Sequence, residues 1–127
     1  MKITFSIVLT LLSVVVFAQS GTWIEKSYEV EGQWEIVKKG ESQYLIFDED
    51  FDTKKAPDLK IFLSPLAVDK VNAENATKGS VKIADLKSYE GRQSFLIPKS
   101  VNLSTYNTLL IHCQQYEVLW SVAKLKK

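Results

Sequence analysis

The sequence predicts an all-β fold, an antiparallel β-sandwich or flattened barrel, in a single domain behind an N-terminal signal peptide. Three observations carry this. Apolar and polar residues alternate at period two in most regular stretches, the stretches are short, and Gly, Pro, Asn, Asp or Ser separates them. Composition is even along the chain, with no repeat, low-complexity tract or second regime, so one core is expected.

Lys2 precedes an apolar run over residues 3–17 that is broken only by Thr4, Ser6, Thr10 and Ser13. Val16 and Ala18 then place small side chains on either side of Phe17, ahead of a cleavage after Ala18. The run falls short of the about 20 apolar residues that a spanning helix needs. Residues 1–18 therefore read as a secretory signal peptide, and residues 19–127 as an exported domain, periplasmic or secreted, with no membrane span. No cysteine follows the run, which argues against lipid attachment.

The strands follow in order. Ile24, Tyr28 and Val30 share a parity, with Glu25, Ser27 and Glu29 between them. Beyond Gly32, Trp34 and Ile36 alternate with Gln33, Glu35 and Val37, and Lys38-Lys39-Gly40 reads as a turn. Tyr44-Leu45-Ile46-Phe47 is apolar and partly aromatic, and Leu59-Lys60-Ile61-Phe62-Leu63 follows the turn signal Pro57-Asp58. Val81 and Ile83 alternate with Lys82, and Phe95-Leu96-Ile97 stops at Pro98. Leu109, Ile111 and Cys113 share a core-facing parity, and Tyr116, Val118, Trp120 and Val122 form the cleanest alternation. Residues 66–78 are the exception: their Ala, Glu and Lys content suits a short helix or a loop flap.

Charge narrows the function. Loss of Lys2 with the signal leaves equal numbers of basic and acidic residues, which speaks against nucleic acid or an anionic membrane as partner. Lys124, Lys126 and Lys127 read as a solvated end. Cys113 is the single cysteine and His112, its neighbour, the single histidine. An exported thiol with no internal partner is a small buried hydrophobe, a cross-linking point between chains or a redox-active group.

The ordered segments resemble the DM-thirteen family, a module associated with electron transfer and often found beside DOMON domains. The resemblance runs through Gly32-Gln33-Trp34-Glu35-Ile36-Val37, then Tyr44-Leu45-Ile46-Phe47-Asp48-Glu49-Asp50-Phe51-Asp52 and Pro57-Asp58-Leu59-Lys60-Ile61-Phe62-Leu63-Ser64. It continues through Leu86-Lys87-Ser88, Gly91-Arg92-Gln93-Ser94-Phe95-Leu96-Ile97-Pro98, residues 101–113 and residues 116–125. It implies a β-sandwich whose near-invariant cysteine, Cys113 here, serves as a redox thiol or a haem ligand. Four positions depart from the pattern. Ala56, Ala84 and Ser121 stand where glycine is usual, and His112 stands where a tryptophan usually precedes the cysteine.

Ligand counting limits the cofactors. One His and one Cys cannot build a blue-copper centre or a four-ligand zinc site. Neighbours on a strand point to opposite faces, so His112 and Cys113 do not grip one iron together, which leaves haem on the Cys113 thiolate alone. Asp48, Asp50 and Asp52 have the spacing of the first ligands of a calcium loop, but Thr53 and Leu59 stand where that loop needs Gly and Glu. Only a weak calcium site on these three acids is left. Asp58 is expected to fix its turn through backbone N–H groups, and Trp120, Tyr116, Trp23 and Trp34 to be core. Asn75-Ala76-Thr77 and Asn102-Leu103-Ser104 match the short glycosylation pattern.

No nucleophile–base pair, phosphate loop or dinucleotide fingerprint is present. The expectation is a non-catalytic exported domain with an electron-transfer or thiol-redox role through Cys113, flanked by His112, Asp58 and Trp120. Lacking a second thiol, it would act with a redox partner protein or a bound cofactor. The alternative is a cell-envelope binding or structural module in which Cys113 is inert core.

Overall fold

The computed structural model describes residues 4, 6, 7 and 15–126. Two antiparallel sheets dominate them. One has four strands in the spatial order β1 (Val15–Thr22), β4 (Gln33–Lys39), β5 (Ser42–Phe47) and β9 (Gln93–Ile97). The other has five, in the order β2 (Ile24–Glu25), β11 (Val118–Lys124), β10 (Thr108–Cys113), β7 (Leu59–Ser64) and β8 (Val81–Asp85). A small ribbon joins β3 (Val30–Glu31) to β6 (Asp52–Thr53). Among the described residues none of these sheets closes into a barrel, so of the two expected architectures the sandwich is the one that forms. Among the described residues no helix is long and apolar enough to cross a membrane.

The expected signal segment, residues 1–18, lies largely outside the described residues. Its last four residues open β1, whose register with β4 shifts between Phe17 and Gln19, next to the expected cleavage point.

The core lies between the two sheets. Trp34 and Ile36 of β4, Leu45 and Phe47 of β5, and Phe95 and Ile97 of β9 meet Leu59, Ile61 and Leu63 of β7 and Leu109, Ile111 and Cys113 of β10. Each face follows the period-two rule, which is why alternation located these positions. Burying one such Leu, Ile or Phe stabilises by about 1.5–3 kcal/mol. The single cysteine is free, so this packing takes the place of a disulfide.

A second cluster covers the outer face of the five-stranded sheet: Phe62, Leu110, Leu119 and Val122, with Val71 and Ala76 from the connection between β7 and β8. That connection, residues 65–80, is a run of turns rather than a helix. Asn75 Oδ1 accepts from Asn72 N at 2.8 Å, and Asn72 Oδ1 accepts from Glu74 N and Asn75 N, both at 2.9 Å. These side chains satisfy the backbone locally and outcompete a helix over this stretch. Of the two expectations, the flap is correct.

The alternation expected across residues 116–122 breaks. Ile111 pairs with Ser121 but His112 pairs with Leu119, so Trp120 is the extra residue of a β-bulge. Trp120 and Ala123 consequently join the main core while Leu119 and Val122 join the outer cluster. Tyr116 is not core; it lies in the β10–β11 turn and is exposed. Ile24, expected to share the buried parity of Val30, is also exposed, on the short edge strand β2.

Candidate functional site

β10 is the central strand of its sheet, hydrogen-bonded to β7 on one side and β11 on the other. All six of its residues are buried, because neighbours flank it laterally and both of its faces are covered. Cys113 ends the strand opposite Leu59 and Val118. It is 1% exposed and belongs to the main core cluster, so its sulfur faces the space between the sheets. The parity expected from sequence places it correctly.

His112 takes the other face and is 2% exposed. Lys60 and Leu119 are its direct cross-strand neighbours. The Phe62 ring stands edge-on to it, 6.4 Å between centroids and 77° between planes. Its Nδ1 is buried without a hydrogen-bond partner. Burial pushes the imidazole pKa below its ordinary value, and the Glu117 and Asp58 carboxylates oppose that shift. An apolar position suits this environment better than a polar ring does.

Asp58 and Lys60 border a polar cleft of about 320 Å³ that also takes in Asp85 and Tyr89. Lys60 Nζ lies 3.4 Å from Asp58 Oδ1 and donates to Gln114 Oε1 at 2.7 Å. Gln114 N donates to the Asp58 carbonyl at 3.1 Å. The turn is thus tied to the end of β10 by its main chain, while the Asp58 carboxylate pairs with Lys60. The expected capping of backbone N–H groups by that carboxylate does not occur. Nearby, the Lys82 ammonium holds the Asp85 carboxyl below the usual carboxylate range, by hydrogen bond and by charge, at 2.9 Å.

Trp120 is buried and stacks on Tyr28, with 3.9 Å between ring centroids and 27° between planes. Its indole N–H donates to Thr53 Oγ1 at 2.8 Å, and the Thr53 hydroxyl donates to the Glu29 carbonyl at 2.9 Å. Lys26, Ser27 and Tyr28 all direct their backbone N–H groups at the Trp120 carbonyl. The bulge, which frees that carbonyl from the ladder, is what lets one residue gather three donors. Neither Tyr28 nor Thr53 is a candidate site residue by sequence. Their partner lies far along the chain, and no local pattern signals the contact.

Of the candidate residues, Cys113 and Trp120 share the core, whereas His112 and Asp58 lie outside it. A haem on Cys113 would need a slot against Sγ. The main surface clefts are lined by other residues, and a sulfur packed between two sheets offers no such opening. The residues present do not fit that group.

The three acids of the calcium expectation have separate roles in the fold. Asp48 Oδ1 accepts from Asp50 N and Oδ2 from Gln33 N, both at 3.1 Å. Asp52 is drawn away into β6, opposite Glu31. Among the described residues no three His, Cys, Asp or Glu side chains are grouped to hold a metal ion. The acidic spacing serves a turn.

The family model described as electron transfer DM13 matches residues 22–125, which takes in both faces of the sandwich and the whole β10–β11 hairpin. The chain belongs to the DM13 family. No curated protein and no solved structure matches it. Within this DM13 domain, Ala56, Ala84 and Ser121 have no left-handed backbone, since Glu117 is the one non-glycine residue with positive φ among the described residues. The glycine usual at those places is not required for its conformational freedom here.

Proposed function

We propose that this DM13 domain is a non-catalytic module of an exported electron-transfer assembly, and that Cys113 serves it as packed core and does not exchange thiols while the domain is folded. Family membership supports the electron-transfer setting. The burial of Cys113 carries the second half: 1% exposure, on the inward face of a central strand. Thiol–disulfide exchange needs a thiolate that an incoming sulfur can reach, and reactive cysteines accordingly sit in partly exposed, electropositive surroundings. The nearest basic residue along the strand pair, Lys60, is on the opposite face of the sheet and engaged with Asp58 and Gln114.

Export rests on the charged start, apolar run and small-residue exit of residues 1–18. Cleavage after Ala18 would leave Gln19–Thr22 in β1, still paired with Ile36–Gln33 of β4.

Timed labelling of the folded mature protein with a thiol reagent tests the reading. The thiol should react far more slowly than in denaturant, at a rate that follows opening of the core. Labelling at the free-thiol rate in native buffer would overturn it and restore Cys113 as the redox group.

A further inference from the structure

The flap of residues 65–80 packs on the outer face of the five-stranded sheet, the face that also carries the buried His112 imidazole. Val71 and Ala76 complete the cluster formed by Phe62, Leu110, Leu119 and Val122, and His112 sits among those strand residues, beside Leu119 and edge-on to Phe62. The flap is tied to β10 at one end, where Asn107 Nδ2 donates to the Pro65 carbonyl and Thr108 Oγ1 to the Leu66 carbonyl. Farther out it is held by its own turns, through Lys70 N to Ala67 O at 2.9 Å and Lys78 N to Asn75 O at 3.0 Å. Such a segment opens at lower free energy than the sheets beneath it.

We infer that residues 65–80 are an acid-released cover: protonation of His112 favours the open flap, which bares the apolar face of Phe62, Leu110, Leu119 and Val122. The chemistry follows from Nδ1. A neutral imidazole can leave this atom as a bare lone pair, which is tolerable in an apolar setting. An imidazolium must carry N–H there, and no acceptor is within reach. In the closed state this N–H has no partner, and in the open one water can supply it. By linkage, acid then favours opening.

The surrounding charges do not cancel this. Lys60 is directly across on β7 and is paired with Asp58, while Asp58 before β7 and Glu117 in the β10–β11 turn favour protonation. Asp69, Lys70, Glu74 and Lys78 of the flap are exposed and face solvent, as are Lys82 of β8 and Lys124 of β11. Burial outweighs the two carboxylates in the net direction of the shift.

Amide hydrogen exchange on the mature chain, expressed as protection factors at about pH 7 and about pH 5, tests the inference. Flap amides such as Lys70, Val71 and Lys78 should lose protection by roughly threefold to tenfold on acidification, while β4 and β5 hold theirs. His112→Gln and His112→Phe should both abolish the flap's pH dependence. If neither variant folds, NMR titration of the wild type decides: the His112 ring and the Val71 methyls should shift with one common midpoint below the ordinary histidine value. Flap protection that does not change with pH, equal losses in the variants, or separate midpoints would each overturn it. None of these outcomes bears on Cys113 labelling, so the two readings fail independently.

Discussion

The Trp120 indole N–H reaches the Thr53 hydroxyl oxygen at 2.8 Å, joining β11 to β6 in the interior. Both partners are buried, so the indole has no water to turn to if the oxygen is removed. Thr53→Val keeps the shape and deletes the acceptor. It should lower unfolding free energy by about 1–3 kcal/mol, the usual cost of an unsatisfied buried donor. In a Trp120→Phe background, where the donor is gone, the same change should cost less, and what remains is the lost hydroxyl bond to the Glu29 carbonyl. Urea melts of the four proteins give the coupling, and additive losses would show that the bond contributes nothing.

Gly32 carries a φ of +90° between β3 and β4. A β-carbon there would lie 2.5 Å from Asp48 Oδ1 and 2.8 Å from the Phe51 backbone nitrogen. Asp48 cannot simply step aside, because it accepts from both Gln33 N and Asp50 N. Gly32→Ala should therefore cost about 2–4 kcal/mol, combining backbone strain with a displaced turn. Gly40→Ala is the control. Its φ is +61° with open space around it, so strain alone, about 1–2 kcal/mol, should appear. Equal losses in thermal melts would refute the crowding argument.

Period-two alternation was enough to place Cys113 and His112 on opposite faces, because β10 is regular from end to end and paired on both sides. It failed on β11, where the extra residue Trp120 reverses every later side chain, so that Val122 faces away from Trp120. A bulge leaves no mark in hydrophobicity when both faces of the sheet are buried, as they are here. The flap is similar. Asn72 and Asn75 decide it through bonds that composition does not reveal. Asp58 was singled out correctly as a turn residue, but its carboxylate partner comes from Lys60, two residues along the strand it precedes.

Cys113 packs as an apolar group, so its substitutions should rank by polarity. Cys113→Ser buries a hydroxyl on the core-facing side of the sheet and should cost about 1–3 kcal/mol. Cys113→Ala removes one heavy atom and leaves a small void, at about 1 kcal/mol. Chemical denaturation should therefore order the proteins wild type, alanine, serine. A serine variant as stable as the wild type would mean that the thiol meets polar surroundings, contrary to its place among Leu59, Ile61 and Leu109.

Acid should act on this domain in two separate windows. The His112 pKa is lowered in the folded state, so between the ordinary histidine value of 6.5 and its folded value the unfolded chain binds more protons. Its stabilising contribution is whole above 6.5 and declines as pH falls through that window. Asp85 is also lowered, through Lys82, but from 3.8, so its smaller surface contribution is lost only in stronger acid. His112→Phe removes the first window and leaves the second. Its stability measured against pH should run flat relative to wild type above 6.5 and gain on it below. A difference between the two proteins that stays constant from neutral pH to about pH 4 would show that the imidazole is as free to charge in the folded domain as in the unfolded chain.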